Sequence, residues 1–247
     1  MKIAVLSDIH GNMEALNAVL TDIKEFNCEK LFILGDYAMA GPEPASVVDR
    51  FMEMSNNEKV TMIQGNTDQM IANYSDDLYS NLKQNAPIMA EALKNDAEIL
   101  SEKQKDFLKN LPTQAQLEVE GIKFLLVHGS PRQNNENILP DLSIETIEQM
   151  IEGTDADVIL CGHTHTPCGY QTNKKQTVVN DGSVGRPFTK DPNACYLLMT
   201  VENGKCLFEH RFIKYNKELA SQKLAKRSFA GADKLAQTLL DPKKRHF

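Results

Sequence analysis

Three short apolar runs in the first quarter of the chain are each followed closely by a polar residue. In chain order these are residues 2–7 followed by Asp8, 31–34 followed by Asp36, and 60–63 followed by Asn66. Apolar residues at helical spacing occupy 13–26 and 47–54, between the runs. Strands that alternate with helices in this way predict an α/β fold, with helices packed on the faces of a sheet.

Strand patterns return in the second half of the chain. Residues 117–120 alternate and, after a turn at Gly121, an apolar run over 122–127 completes a hairpin that ends at His128. A helix is predicted at 143–151. Further strands are predicted at 158–160, 168–172, 176–180, 195–201 and 205–213, with a turn at Glu202-Asn203-Gly204. Because no Pro/Gly/Ser-rich linker divides the chain, residues 1–247 are predicted to form a single domain.

Two helical segments interrupt or follow the strands. Residues 71–111 are predicted to be an insertion of two or three helices, and Ser101 with Gln104 forms a capping box within it. The insertion either covers an edge of the sheet or acts as a cap that shapes a substrate pocket. Residues 215–247 are predicted to be a C-terminal helical tail, with a basic helical stretch over 217–240 and a solvated end at Lys243-Lys244-Arg245.

Composition excludes several classes of protein. The chain has 247 residues and a formal charge of −7, which argues against non-specific nucleic-acid binding but is compatible with a small phosphorylated substrate beside a bound metal. The sequence contains no run of 18 apolar residues, so no membrane span is predicted. Five cysteines without a C-x-x-C pair favour a reduced, cytoplasmic protein. Cys161 is either a zinc ligand or a buried thiol, and its place at the end of an apolar run favours the thiol.

Metal-binding residue types follow the predicted strands. They are Asp8, His10, Asp36, Asn66, His128, His163 and His165, and they include four of the six histidines. Because ligands sit at the carboxyl ends of strands in open α/β sheets, these side chains are expected to converge in one crevice. Asp8 and His10, like His163 and His165, are two positions apart and therefore point the same way in an extended segment. Two carboxylates, an amide and four imidazoles predict a site for two divalent cations.

In order, these residues resemble the five motifs of the calcineurin-like metallophosphoesterases. The matching segments are Asp8-Ile9-His10, Gly35-Asp36, Gly65-Asn66-Thr67-Asp68, Val127-His128-Gly129 and Gly162-His163-Thr164-His165. Within that superfamily, the segments 7–12, 40–44 and 180–185 are similar to a bacterial phosphodiesterase branch related to diadenosine tetraphosphate hydrolases. The resemblance covers residues 1 to about 210. It implies a four-layer αββα sandwich with a dinuclear site at one end of its two sheets.

The resemblance also implies a role for each ligand. Asp8, His10 and His165 would bind the first metal ion, Asn66, His128 and His163 the second, and Asp36 would bridge the two. A hydroxide bridging the ions would attack phosphorus, while the ions stabilise the charge on the phosphoryl oxygens. Manganese, iron, zinc, nickel and cobalt all suit this mixed ligand set, so the sequence does not choose among them.

One position departs from the family pattern. The residue after the motif asparagine is often histidine, which assists the leaving group, whereas this chain has Thr67. Threonine is a poor general acid at neutral pH, so Asp68 or a metal-bound water would have to replace it. Asn12 either contacts the phosphate or caps the helix that begins at Met13. Arg186 either binds a phosphate or is a surface arginine.

The sequence therefore predicts a dinuclear, metal-dependent hydrolase of phosphodiester or phosphoanhydride bonds in small molecules such as dinucleoside polyphosphates. The absence of the motif histidine at Thr67 predicts a preference for leaving groups that need no proton. The alternatives are a non-catalytic binding scaffold on the same fold, which would tolerate altered metal ligands, and a protein Ser/Thr phosphatase, which would normally carry the missing histidine.

Overall fold

A computed structural model describes residues 1–244, so Arg245 and the last positions of the predicted 215–247 tail lie outside the described residues. The strands are β1 (Lys2–Leu6), β2 (Lys30–Ile33), β3 (Val60–Met62), β4 (Gln114–Val119), β5 (Ile122–Val127), β6 (Val158–Cys161), β7 (Cys168–Gln171), β8 (Thr177–Asn180), β9 (Ala194–Glu202) and β10 (Lys205–Ile213). The helices are α1 (Met13–Glu25), α2 (Pro44–Met54), α3 (Asn66–Ala72), α4 (Asp76–Asn85), α5 (Pro87–Ile99), α6 (Glu102–Asn110), α7 (Ile144–Met150), α8 (Lys217–Ala225) and α9 (Ala232–Leu240). None of these described helices has both the length and the hydropathy that crossing a membrane requires.

Within residues 1–244 the strands form two five-stranded sheets. The first has the order β10-β9-β1-β2-β3, in which β1, β2 and β3 are parallel and the other two are antiparallel additions. The second has the order β4-β5-β6-β8-β7, with a parallel centre formed by β5, β6 and β8. Both sheets therefore bring the carboxyl ends of three parallel strands together at one edge.

The period of two along β1 explains how the layers stack. Ile3 and Val5 face the second sheet and share a core cluster with Phe124, whereas Ala4 and Leu6 face the helices on the opposite side. The outer face of the second sheet forms a third cluster with α7. The order helices, sheet, sheet, helix confirms the predicted αββα sandwich.

Both predicted hairpins are present. Strands β4 and β5 turn at Gly121, and β9 and β10 turn at Asn203 and Gly204. Helix α2 begins three residues earlier than predicted, because Pro44 fits the first turn of a helix, where no N–H donor is needed.

The segment predicted as a helical insertion contains the end of α3 and the helices α4, α5 and α6. The predicted capping box is formed: the Gln104 backbone N–H donates to Ser101 Oγ, and the Ser101 N–H donates to Gln104 Oε1. The Gln104 amide also donates to Ala45 O and Asp49 Oδ1. Helix α6 is thereby attached to the start of α2.

The described part of the C-terminal segment predicted to be helical contains two helices. Helix α8 packs on α1, and α9 packs on α8 and α5. Gly231 precedes α9 with a φ of +87°, and a Cβ there would lie 2.8 Å from the Ile88 side chain. A left-handed backbone and a close approach to α5 both require glycine at this break.

A buried ion pair joins the C-terminal segment to the insertion. Arg227, in the turn after α8, lies 2.5 Å from the Asp96 carboxylate on α5. Arg227 also donates to Gly41 O, and Asp96 accepts the N–H of Ala40. Three segments that are distant in sequence therefore meet at the loop that follows β2.

Asp22 on α1 connects that helix to the edge of the first sheet. It accepts hydrogen bonds from the Arg211 guanidinium at 2.8 and 3.0 Å and from the Tyr196 hydroxyl at 2.6 Å. The Arg211 hydrogen bonds lower the pKa of Asp22, although burial opposes this.

We expect Asp22→Asn to lower the free energy of unfolding at pH 7 by about 1–2 kcal/mol, measured by urea denaturation.

The stability lost in Asp22→Asn should depend on pH and should disappear in acid. Because the folded pKa lies below the unfolded value, the stabilisation is present above about pH 4 and is lost as the pH falls through the folded pKa. Wild type and Asp22→Asn should therefore converge in stability in strong acid. Asp106→Asn, at an exposed position on α6, is the matched control and should change stability little at any pH. An Asp22→Asn deficit that persists below both pKa values would contradict this account.

Candidate metal centre

The seven predicted ligands meet at the edge where the parallel strands end. Each candidate ligand comes after the strand that the sequence predicts for it. Asp8 and His10 follow β1, Asp36 follows β2, Asn66 begins α3 after β3, His128 follows β5, and His163 and His165 follow β6. All are buried except Asn66 and His163, which are partly exposed. The two sheets thus supply ligands to one crevice, and its open side carries Asn66 and His163.

Asp8, His10 and His165 form one group of converging ligand atoms. Their atoms lie within 4.8 Å of one another. His165 Nε2 is 3.1 Å from Asp8 Oδ1 and 3.1 Å from His10 Nε2. Asp8 Oδ1 is buried and has no hydrogen-bond partner within residues 1–244. Acceptor atoms gathered without donors are what a bound cation would satisfy.

A second group lies beside the first. Asn66 Oδ1 is 3.0 Å from His128 Nε2 and 2.9 Å from His163 Nδ1. Asp36 is placed between the groups: its Oδ1 is 3.4 Å from His128 Nε2 and its Oδ2 is 3.6 Å from His10 Nε2. The geometry therefore brings Asp36 within reach of both groups.

Backbone carbonyls fix the orientation of the imidazoles. His10 Nδ1 pairs with Met39 O at 2.9 Å, His128 Nδ1 with Leu34 O at 2.7 Å, and His165 Nδ1 with Arg186 O at 2.6 Å. A neutral imidazole that donates from Nδ1 keeps a lone pair on Nε2, which is the atom turned into the cluster. His163 has the opposite orientation, since its Nδ1 is the ring atom that faces Asn66 Oδ1, at 2.9 Å.

Five of the seven candidate ligands have a left-handed backbone. Asp8, His10, Asp36, His163 and His165 have φ values between 46° and 67°. Residues with a Cβ adopt this region at a cost of about 1–3 kcal/mol each, and such strain clusters at functional sites. The concentration of strained residues at one crevice supports a functional role for this edge of the sheets.

The carboxylates and imidazoles of the cluster shift one another's pKa values. Burial alone would raise the pKa of Asp36, but the charge and hydrogen bond of His128 lower it to about 2. Burial alone would lower the pKa of His128, but Asp36 and Asp8 raise it to about 10. Burial lowers the pKa of His165 to about 4. Anionic carboxylates and neutral imidazoles fit divalent cations, which would take over the charge that the His128 proton balances.

Ser7 and Asp181 support Asp8 from behind. Ser7 Oγ is 2.6 Å from Asp8 Oδ2 and 2.6 Å from Asp181 Oδ1, and all three residues are fully buried. One hydroxyl proton cannot serve two carboxylates, and burial raises the pKa of Asp181 well above its usual range. Neutral Asp181 therefore donates to Ser7, and Ser7 donates to Asp8. The sequence gives no signal for this pair of hydrogen bonds, because 174 positions separate Ser7 from Asp181.

Asn12 caps α1, as one of its two sequence interpretations predicts. Its Oδ1 accepts the Ala15 N–H at 3.1 Å, and its Nδ2 donates to Gly185 O at 3.0 Å. Both polar atoms of the side chain thus have protein partners, while a contact with phosphate stays a prediction. Cys161 is buried with its thiol near Val179 O and belongs to neither candidate metal group, so it fits the thiol interpretation.

Thr67 and Asp68 both contact the loop that carries Asp36. The Thr67 N–H donates to Asp36 Oδ1 at 2.9 Å, whereas its hydroxyl is buried without a partner within residues 1–244. The Asp68 carboxylate accepts the N–H groups of Asp36, Tyr37 and Gly65. Burial and the charge of Asp36 raise the pKa of Asp68 to about 7. Asp68 therefore holds the loop in place through both of its oxygens.

Arg186 is buried rather than a surface arginine. Its exposed fraction is 7%, and its Nη1 contacts Met89 Sδ of α5 at 3.8 Å. Burial lowers its pKa to about 10, while the charges of Asp36 and Asp8 act to raise it. Arg186 is thus a cation at neutral pH that lies within electrostatic reach of the metal-centre carboxylates.

Gly65 leaves room for the Asp36 carboxylate. A Cβ at this position would lie 2.1 Å from Asp36 Oδ1 and 2.3 Å from the Asp36 backbone nitrogen. Because a backbone atom cannot move away, we expect Gly65→Ala to displace Asp36. The substitution should lower stability by about 1–3 kcal/mol and reduce the manganese retained after loading and desalting, measured by elemental analysis.

Gly169→Ala is the matched control, because a Cβ on this β7 residue would meet only Val178 O, at 3.9 Å. It should retain as much metal as wild type. Equal metal contents in the Gly65→Ala and Gly169→Ala proteins would show that Asp36 does not depend on this close approach.

Comparisons with solved structures agree with the observed architecture. The hypothetical protein PH1004 from Pyrococcus horikoshii superposes with a TM-score of 0.84 at 24% identity, covering 96% of this chain and 97% of that one. A metallophosphoesterase from Sphaerobacter thermophilus superposes with a TM-score of 0.77 at 21% identity, covering 98% and 100%. These similarities establish the fold.

Sequence comparison identifies the family. An uncharacterized protein from Methanocaldococcus jannaschii is 28% identical over 240 residues, which cover 91% of this chain and 92% of that protein. The model of the calcineurin-like phosphoesterase superfamily domain matches residues 1–204 and so includes all seven candidate ligands. The chain belongs to the calcineurin-like phosphoesterase superfamily.

Proposed function

We propose that this protein hydrolyses phosphodiester or phosphoanhydride bonds of small phosphorylated molecules with the help of two divalent metal ions. The observation that carries the proposal is the pair of adjacent ligand groups with Asp36 between them, in a chain of a phosphoesterase family. When bound, the two ions would activate water and neutralise charge on the phosphoryl oxygens. Manganese, iron, zinc, nickel and cobalt all suit the ligands.

The proposed ligand sets follow the two groups. Asp8, His10 and His165 would hold one ion, because three of their ligand atoms converge. The second set would hold the other ion, and its members are Asn66, His128 and His163, whose atoms gather around Asn66 Oδ1. Asp36 lies within reach of both groups and would serve both ions. The carbonyl partners of the imidazoles keep these atoms in place before any ion binds.

Arg186 binds the phosphate of the substrate in this proposal. A buried guanidinium in contact with a thioether keeps donor groups available, and its charge complements a phosphate anion. Its carbonyl also accepts from His165 Nδ1, so its backbone position is tied to a ligand. These two contacts support the proposed role, because they hold Arg186 next to a candidate metal ligand.

Leaving groups that need no proton suit this site. Thr67 offers only a hydroxyl, and Asp68 uses both oxygens to hold backbone N–H groups. Nucleotides released from a phosphoanhydride and acidic aryl alcohols leave readily as anions, whereas alkyl alcohols do not. Dinucleoside polyphosphates therefore belong among the proposed substrates, in keeping with the branch that the sequence resembles.

Metal dependence is the first test. Protein stripped of metal should not hydrolyse an aryl phosphomonoester, an aryl phosphodiester or a dinucleoside polyphosphate, and addition of manganese, nickel, zinc or magnesium should restore turnover of at least one. Asp36→Asn and Asn66→Ala should each reduce the hydrolytic activity strongly. The reduction should exceed the roughly 10–100-fold loss that is typical when a residue that only supports a metal ligand is removed.

Asp155→Asn, at an exposed position paired with Lys123, is the control and should keep wild-type activity. Full turnover without any divalent ion would refute the proposal. Absence of turnover in every metal, together with stable retention of a protein partner, would favour the binding scaffold. Efficient dephosphorylation of phosphoproteins in preference to the small molecules would favour the protein phosphatase.

A second test concerns the leaving group. We expect diesters with an aryl leaving group to be hydrolysed much faster than dialkyl diesters, and Thr67→Val to leave the aryl rate within about twofold of wild type, because the hydroxyl is a poor acid. Initial rates under saturating metal measure both. Comparable rates on aryl and alkyl diesters, or loss of the aryl rate in Thr67→Val, would contradict the assigned chemistry.

A further inference from the structure

Loop 39–41, which follows β2, contacts one candidate ligand through both its side chain and its backbone. Met39 O pairs with His10 Nδ1 at 2.9 Å, which leaves Nε2 of this imidazole as the atom that faces the cluster. A Cβ on Gly41 would lie 1.5 Å from His10 O, so the loop also packs directly on the His10 backbone. The position of the loop therefore determines where His10 offers its ligand atom.

This loop depends on support from outside it. Met39 and Ala40 have φ values of 64° and 63°, and residues with a Cβ persist in this left-handed region only where surrounding contacts hold them there. The Ala40 N–H donates to Asp96 Oδ2 at 2.9 Å, and Gly41 O accepts from Arg227 Nη1, also at 2.9 Å. The two supports come from α5 and from the turn after α8, so both are distant from the loop in sequence.

The two supporting residues form one buried unit. Arg227 Nη2 lies 2.5 Å from Asp96 Oδ1 and donates to Asn95 Oδ1 at 2.6 Å. The Asp96 side chain is fully buried, and that of Arg227 is 8% exposed. A planar guanidinium can reach several acceptors in a fixed geometry, which a single ammonium group cannot do. Because a buried ion pair adds little net stability, its value here lies in the geometry that it fixes.

The unit acts on only one of the two candidate ligand groups. His10 belongs to the first group, with Asp8 and His165. In the second group, the imidazole of His128 is oriented by another carbonyl, since its Nδ1 pairs with Leu34 O at 2.7 Å, before the loop begins. A disturbance of the loop should therefore affect the two groups unequally.

We propose that Arg227 is a positioning residue for the ion of the first ligand group: together with Asp96 it holds loop 39–41 so that His10 presents Nε2 to that ion. The inference rests on the proposed function for the presence of an ion at this group. It adds that the occupancy of this ion, the first ion, depends on the C-terminal segment, which lies beyond the family match at residues 1–204. Loss of this support releases the first ion and leaves the second one bound.

Manganese binding to the metal-free protein tests the inference without turnover. Isothermal titration of Arg227→Gln should show one of the two ions bound about tenfold more weakly than in wild type, at the lower end of the range for groups that orient a ligand. The other ion should bind as in wild type. Arg227→Lys keeps a charge beside Asp96 but lacks the planar fork, so it should recover part of the affinity.

Two further backgrounds identify the affected ion. Asn66→Ala removes a ligand of the second group, so adding Arg227→Gln should weaken the remaining ion by the same factor of about ten. His10→Ala removes the ligand through which the loop acts, so adding Arg227→Gln should change the binding of the remaining ion by less than about twofold. Equal effects in the two backgrounds would overturn the inference, because Arg227 would then not act through His10.

Arg211→Gln is the matched control, because Arg211 also pairs with an aspartate, Asp22, but lies on the edge strand β10. It should bind both ions as wild type does. If Arg227→Gln does not fold, Asn95→Ala decides, since it removes only the 2.6 Å bond to the guanidinium and should weaken the same ion by a smaller factor. Unchanged binding in the folded variant, an equal loss in Arg211→Gln, or a wild type that retains no ion would each overturn the inference.

The proposed function and the positioning role fail separately, because no substrate is present in these titrations. A protein that hydrolyses none of the small phosphorylated molecules, but whose first ion depends on Arg227, refutes the hydrolase alone. A protein that hydrolyses them with manganese, and whose metal binding does not respond to Arg227→Gln, refutes only the positioning role.

Discussion

Two carboxylates buried side by side, Asp8 and Asp36, are the constraint on which the rest of the site depends. Removing two negative charges from water is costly unless partners compensate for it, so every neighbouring group is arranged around them. Asp36 and Asp8 raise the pKa of His128 to about 10, so its imidazolium compensates part of their negative charge. Behind Asp8, Ser7 and the neutral Asp181 supply a hydrogen bond instead of a charge. A divalent cation would satisfy both carboxylates at once, which explains why strained backbone is tolerated here.

The ligand residues could be predicted from sequence because each follows a local signal. A short apolar run predicts a strand, and the residue after it then lies at the carboxyl edge of the sheet. Asp8, Asp36 and Asn66 lie after their strands at this edge, as predicted. His163 and His165, the H-x-H pair, are two further candidate ligands that follow a single strand. The structure brings all seven candidates together, while their division between two ions stays a proposal. The four layers follow from the same alternation, since successive residues of β1 face different cores.

The features that the sequence did not indicate are contacts between residues far apart in the chain. Asp181 is a turn-type residue by local criteria, and only folding places its carboxyl against Ser7. Gly65 is recognisable as glycine, but the reason for it, a Cβ that would lie 2.1 Å from Asp36 Oδ1, follows from the pairing of β2 with β3. The break at Gly231 also involves a distant contact, since a Cβ there would lie 2.8 Å from the Ile88 side chain on α5.

The C-terminal segment is linked to the candidate metal centre through a series of contacts, although it lies beyond the residues that the family model matches. Arg227 holds Asp96, Asp96 accepts the N–H of Ala40, and the neighbouring carbonyl of Met39 orients His10. Met39 and Ala40 have φ values of 64° and 63°, so this loop is strained and needs external support. A buried ion pair adds little net stability compared with apolar residues of the same volume, but it fixes geometry well. The pair between Arg227 and Asp96 therefore supports the loop whose Met39 carbonyl pairs with His10, a candidate ligand that follows the first strand.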